Sequence, residues 1–205
     1  MSLIISEMAG SDKSRGQRPL PKQGTQAGRI AHVVDLGVQA SRPFQGEEKP
    51  PKRRVWINVE LPNDKADFKG EGVLEPHRVA LREIAVSKDP KSSLTKLLTN
   101  IDPNNVVGDD LVKILNMPVL TTIVYNKGKN KEGQELTYAN ISNLSSVPDG
   151  FPVPELSTPA VSFSFDNPTV ESWEALPKFV QEKIKAAVNF KGSAVEKMLG
   201  ADNPF

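Results

Sequence analysis

Across residues 53–61 the side chains alternate without a break, Val55, Ile57, Val59 and Leu61 on one side and Arg54, Trp56, Asn58 and Glu60 on the other. A repeat of two with one apolar face is the pattern of a strand that packs on a core through one side and meets water on the other, as in antiparallel sheets. A helix does not generate it, so the chain is built around at least one amphipathic strand. Pro62-Asn63-Asp64 stops the run.

Four more segments fit the same kind of sheet. Residues 29–36 carry Ile30, Val33, Val34 and Leu36 and end at Gly37. Residues 77–86 place Val79 and Leu81 inward and Arg78, Ala80 and Arg82 outward. Residues 119–125 and 134–144 form a pair, and the stretch from Asn126 to Gln134 between them holds three Lys and two Gly, as a hairpin loop does. Between the third and fourth runs the period changes. Ser92 and Ser93 offer an N-cap for Leu94, Leu97, Leu98 and Ile101, and Asp109-Asp110 open a second short helix through Leu111, Ile114 and Leu115 that Pro118 closes. Pro148, Pro152 and Pro154 mark a linker, after which Trp173, Leu176, Phe179, Val180 and Ile184 make the apolar stripe of a helix over residues 169–189, with a shorter segment at 193–199.

Strand, strand, strand, helical insert, strand, strand is the order of the OB-fold, a five-stranded Greek-key barrel. The expected fold is therefore mainly β with short helices: an OB-fold barrel with a helical insert between strands 3 and 4 and a C-terminal helix. An α+β sandwich of similar element order is the alternative. The division is a flexible arm over 1–27, polar and without periodicity, an OB-fold domain over 28–150, and a Pro-rich linker, helix and tail over 151–205.

Composition narrows the chemistry. Without a single Cys the chain has no disulfide, thiolate zinc site or Cys nucleophile, which suits a reducing compartment. Two His, at positions 32 and 77, leave little for a metal site or an acid–base relay, and both read as ordinary strand residues. No Ser stands at a recognisable spacing from a His and an acid, and no Gly-rich phosphate cradle precedes a helix. The expectation is a non-enzyme with no cofactor and no metal. No apolar run is long enough for a membrane span and no signal-peptide pattern opens the chain, so no membrane partner is expected.

The formal net charge is only +1, yet residues 1–60 carry ten basic and six acidic side chains. Basic density peaks at Lys49-Pro-Pro-Lys52-Arg53-Arg54 and again at Lys127-Gly-Lys129-Asn-Lys131. In an OB-fold these are the loops joining strands 1–2 and 4–5, which flank the ligand face of strands 2 and 3. Trp56, on the polar side of strand 2 between Arg54 and Asn58, has the position of a base-stacking platform. The predicted nucleic-acid contacts are Lys52, Arg53, Arg54, Trp56, Asn58, Arg78, Arg82, Tyr125, Lys127, Lys129, Lys131 and Tyr138. The competing arrangement has Trp56 covered by the C-terminal helix or a second subunit, and the tyrosines as cross-strand packing partners.

Ala31-His-Val-Val-Asp-Leu-Gly37, the basic connection, Arg53-Arg-Val-Trp-Ile-Asn-Val-Glu-Leu-Pro62, Pro118-Val-Leu-Thr-Thr-Ile-Val-Tyr-Asn126 and Tyr138-Ala-Asn-Ile-Ser142 together resemble the single-stranded DNA-binding proteins of tailed bacteriophages. The resemblance covers roughly residues 28–150. It implies an OB-fold, non-catalytic and largely sequence-independent binding of single strands in replication and recombination, partners among phage or host replication and recombination proteins, and the cytoplasm of a host bacterium. The terminal Asp202-Asn-Pro-Phe205 is similar to the tips of bacterial and phage single-strand binders, which implies a partner-docking tail at Asp202, Pro204 and Phe205, with one nearby acid where the family shows several. A protein–protein module, a recombination mediator or virion component using the same barrel face, is the second functional expectation, favoured by the near-zero net charge. DNA and RNA both satisfy stacking and phosphate contacts, and the apolar stripe of residues 173–184 suits either packing on the barrel or a homo-oligomer interface.

Overall fold

A computed structural model describes residues 19–41, 43, 45–129 and 133–201. The predicted residues Lys131, Asp202, Pro204 and Phe205, and most of the 1–27 arm, lie outside the described residues. The chain forms one mainly antiparallel, open sheet with short helices on both sides.

The central strand is β1 (Gly24–Gln39). Its second half pairs with β2 (Lys52–Ala66), from Arg29 opposite Glu60 to Gln39 opposite Lys52. Its first half pairs with β5 (Pro118–Lys129), from Gly24 opposite Ile123 to Arg29 opposite Pro118. Gly28 is where the strand passes from one partner to the other. A Cβ there would stand 2.7 Å from Val59 Cγ1 and 2.9 Å from Thr121 Oγ1, so only glycine lets the three backbones approach this closely. β3 (Glu75–Ala80) and the two-residue β4 (Ile84–Ala85) both line up on β2, while β6 (Glu135–Ser146) lies on β5. The path is β3-β2-β1-β5-β6. β3 and β6 approach one another, but among the described residues no hydrogen-bonded ladder joins them, so the expected closed barrel is not formed.

One face of the sheet holds Ile30, Val55, Ile57, Val59, Leu61, Ile123 and Leu144. It is capped by Leu94, Leu97 and Ile101 of α1 (Ser93–Ile101) and by Ile114 of a 3-10 turn (Leu111–Ile114). Both caps were legible: Ser92 Oγ accepts the Thr95 N–H at 3.1 Å, and the Asp110 carboxylate accepts the Val112 N–H at 3.0 Å.

The other face carries a second core. β7 (Val161–Phe163) joins β1 in parallel, with Val161 opposite His32 and Phe163 opposite Val34. Behind it come α2 (Val170–Glu174), α3 (Lys178–Lys185) and α4 (Ala194–Ala201). Phe163, Phe165, Trp173, Leu176, Val180, Ile184 and Val195 close over Val34, Leu36 and Trp56. The expected single helix over 169–189 is two helices because Pro177, with no N–H to donate, ends one and caps the next. The face of β2 read as solvated is therefore covered by the C-terminal segment, and β2 is buried on both sides from Val55 to Pro62.

Candidate nucleic-acid interface

β2 begins at the mouth of the β1–β2 connection, and its outward residue there, Arg54, precedes the covered stretch. Opposite it, the chain leaves the β2 ladder between β3 and β4, with Arg82 exposed and Glu83 half-buried. Arg54 Nη1 donates to the Glu83 carbonyl at 3.4 Å. From the other side α3 brings Lys183, whose ammonium pairs with the Glu83 carboxylate. The end of α3 is fixed to β1, since the Gln39 side-chain amide donates to the Lys183 carbonyl at 3.1 Å and to the Leu36 carbonyl at 2.6 Å.

These elements enclose a cavity of about 1040 Å³ whose charged lining is Lys49, Lys52, Arg54, Arg82, Lys183 and Glu83. Five cations face one carboxylate, and among the described residues Lys52, Arg54 and Arg82 form no ion pair. A recess with an excess of cations attracts a polyanion and gains by releasing its counterions.

The second basic cluster is elsewhere. β5 and β6 run on past the start of β1 as a two-stranded ribbon, with Tyr125 opposite Ala139 and Lys129 opposite Glu135. Lys127 and Lys129 are exposed. Tyr125 and Tyr138 are 39% and 42% exposed but lie on opposite faces, because Tyr138 pairs with Asn126, the neighbour of Tyr125. The Tyr125 hydroxyl donates to the Pro21 carbonyl at 2.7 Å, and the Tyr138 ring covers Gly128. The two tyrosines thus form two separate aromatic surfaces. The ribbon and the cationic cavity sit at opposite ends of β1, whose 16 residues span a contour of roughly 50 Å.

Two predicted contacts, Trp56 and Asn58, are corrected by their burial, and two more, Arg53 and Arg78, are engaged in ion pairs. Trp56 is only 7% exposed, because Phe179 meets it edge-on with ring centroids 5.7 Å apart and His32 packs on its other flank at 5.7 Å. Asn58 is buried beside it. Arg53 is held by Asp35 and by Asp166, the latter at 2.6 Å, and so fastens the C-terminal segment to the sheet. Arg78 forks onto Glu60 and also bonds Thr158.

The covered face has an electrostatic cost. His32 Nδ1 and Asn58 Oδ1 find no hydrogen-bond partner among the described residues. Burial, with the Arg78 charge acting in the same direction, pushes the His32 imidazole down to about 4, so it is neutral at physiological pH. Burial also lowers His77, which stacks edge-on with Phe68 at 5.0 Å. Among the described residues no three His, Asp or Glu side chains gather where a metal ion could be held, and no helix is long and apolar enough to cross a membrane. Lys183 is the functional candidate the sequence did not give up. Its signal, a cation one turn from Phe179 on a helix whose opposite stripe is apolar, points to no partner until the helix is docked.

No model of a known protein family, no curated protein and no solved structure matches this chain.

Proposed function

We propose that the chain is a non-catalytic single-stranded DNA-binding protein of phage replication and recombination, working in the host cytoplasm with phage or host replication proteins. The observation that carries this reading is the cavity at the start of β2, where Lys52, Arg54 and Arg82 have no acidic partner among the described residues. The fold is consistent with it. A long first strand shared between the second and fourth long strands, with a helix inserted before the fourth, follows the connectivity of an OB-fold, here left unlaced between β3 and β6.

The strand's phosphates lie along Lys52, Arg54 and Arg82 at one end of β1 and along Lys127 and Lys129 at the other. Such contacts do not sense base identity, so the binding is largely indifferent to sequence. A near-balanced net charge does not oppose this: Asp35 is taken up by Arg53 and Glu60 by Arg78, and the cavity's one carboxylate, Glu83, pairs with Lys183, which leaves Lys52, Arg54 and Arg82 without an ion pair among the described residues.

The test is a titration of a labelled oligothymidine of about 30 nucleotides, longer than the roughly 4–16 that one such fold covers. It is followed by fluorescence anisotropy at low and moderate salt. Saturable binding that weakens by a log–log slope of about −0.7 for each phosphate neutralised is expected. No binding at low salt would end the single-strand reading and turn attention to a protein partner.

A further inference from the structure

The stripe of Trp173, Leu176, Phe179, Val180 and Ile184 reads as one buried face, and the structure takes Phe179 out of it. The break at Pro177 resets the helical register, so Val180 and Ile184 enter the core while Phe179 is left 59% exposed. An exposed Phe is common and by itself means little. This one is not placed at random. Its ring stands at 82° to the buried Trp56 ring behind it, which fixes its position. Lys183, four residues on, shares its side of α3 and lines the cationic cavity. Arg54, two residues from Trp56 on the same side of β2, lines that cavity too. An exposed, braced aromatic face therefore stands one helical turn from a recess in which Lys183 pairs with Glu83 and Arg54 and Arg82 form no ion pair among the described residues.

We infer that Phe179 is the base-stacking platform of this protein, receiving a nucleobase of a single strand whose phosphates lie on Arg54, Arg82 and Lys183. Trp56 is the buttress behind it. The inference rests on the single-strand reading above and assigns the stacking role to the C-terminal helix. Charge complementarity selects the occupant, since a ligand here must present both a flat apolar face and neighbouring negative charge. A single-stranded nucleic acid has the two in every residue.

The experiment compares Phe179→Leu, Phe179→Tyr and Lys183→Gln with the parent protein on two ligands, an oligothymidine and an abasic oligodeoxyribose-phosphate of equal length. Leu keeps an apolar cover over Trp56 and removes the π-face. Phe179→Leu is expected to bind oligothymidine about 5- to 150-fold more weakly, the range that loss of one stacked base gives. Its affinity for the abasic strand and its salt slope should not change. Phe179→Tyr should bind as the parent does, and Lys183→Gln should lower the slope by about 0.7 on both ligands. Melting temperatures of all variants are measured alongside.

Equal oligothymidine affinity for Phe179→Leu and the parent overturns the inference and leaves the single-strand reading intact. So does an equal loss on both ligands, which marks a structural effect. If the parent binds neither ligand, both readings fall.

Discussion

Arg78 and Glu60 face each other across β3 and β2, Nε at 3.0 Å and Nη2 at 2.7 Å from the same carboxylate oxygen, with Glu60 entirely out of solvent. The Ser157 amide and hydroxyl complete the carboxylate's partners at 2.6 and 2.9 Å. An outward-facing pair of strand residues has become the anchor for the linker to the C-terminal segment.

Removing Arg78 should therefore injure the fold more than it injures DNA binding. Arg78→Met leaves a buried carboxylate with one partner fewer, and losses of about 3–5 kcal/mol are usual for such a break. Burial pushes the Glu60 carboxyl up, but the Ser157 and Arg78 hydrogen bonds outweigh it and hold it below its ordinary value. The stability this confers is present above the unfolded pKa and disappears as pH falls through the folded one. Urea unfolding across the acid range should show Arg78→Met approaching the parent as pH drops. A deficit of the same size at every pH would contradict this account.

His32 predicts a separate acid sensitivity. With a folded pKa of about 4 against an ordinary 6.5, the unfolded chain binds the proton more readily, so stability falls as pH drops from about 6.5 towards 4. At most about 3 kcal/mol is at stake. His32→Gln should flatten that part of the stability curve, as measured by thermal melts at stepped pH. An unchanged slope between pH 6.5 and 4 would show that His32 is not its source.

Arg54 and Arg82 should act on binding alone. The double change Arg54→Gln with Arg82→Gln removes two of the cavity's cations and no ion pair among the described residues. It should lower the salt slope by about 1.4, two phosphates' worth, and leave the urea midpoint within error. An unaltered slope would place the phosphate path elsewhere.

Lys127 and Lys129 should matter in proportion to strand length. They lie at the far end of β1 from the cavity, so a short oligonucleotide cannot reach both. Lys127→Gln with Lys129→Gln should weaken binding of an oligomer of about 30 nucleotides while sparing one of about 6. Equal effects on the two lengths would mean that the ribbon and the cavity hold one compact site.

Period-two alternation found the long strands except the start of β1, where Gly24 to Ala27 read as part of a flexible arm and instead pair with β5, and capping chemistry at Ser92 and Asp110 found the insert. What alternation does not say is what covers a polar face. Trp56, Asn58 and Glu60 read as solvated because the groups that satisfy or bury them, Phe179 and Ser157 among them, are about a hundred residues away in the chain. Arg53 and Arg78 read as phosphate ligands for the same reason, since Asp166 and Thr158 are remote. Two signals were nonetheless present. Val161-Ser-Phe-Ser-Phe165 alternates as a strand does, and it forms β7. Pro177 interrupts the helical stripe and frees Phe179 from it. Lys52, Arg54 and Arg82 line one cavity, whereas the two basic clusters lie at opposite ends of β1 rather than around one site.

The two partners of β1 also fix an order of events during synthesis. Its second half can zip onto β2 as soon as Glu60 has emerged, since the two are neighbours in the chain. Its first half, Gly24 to Arg29, has no ladder to join until Pro118 to Ile123 have been made, about ninety residues later. For that interval the nascent chain carries a bare strand edge, the kind of surface on which neighbouring chains pair in error. Thr25 and Gln26 supply polar side chains there, and Gly24 and Gly28 supply none, a composition that sticks poorly to itself while it waits.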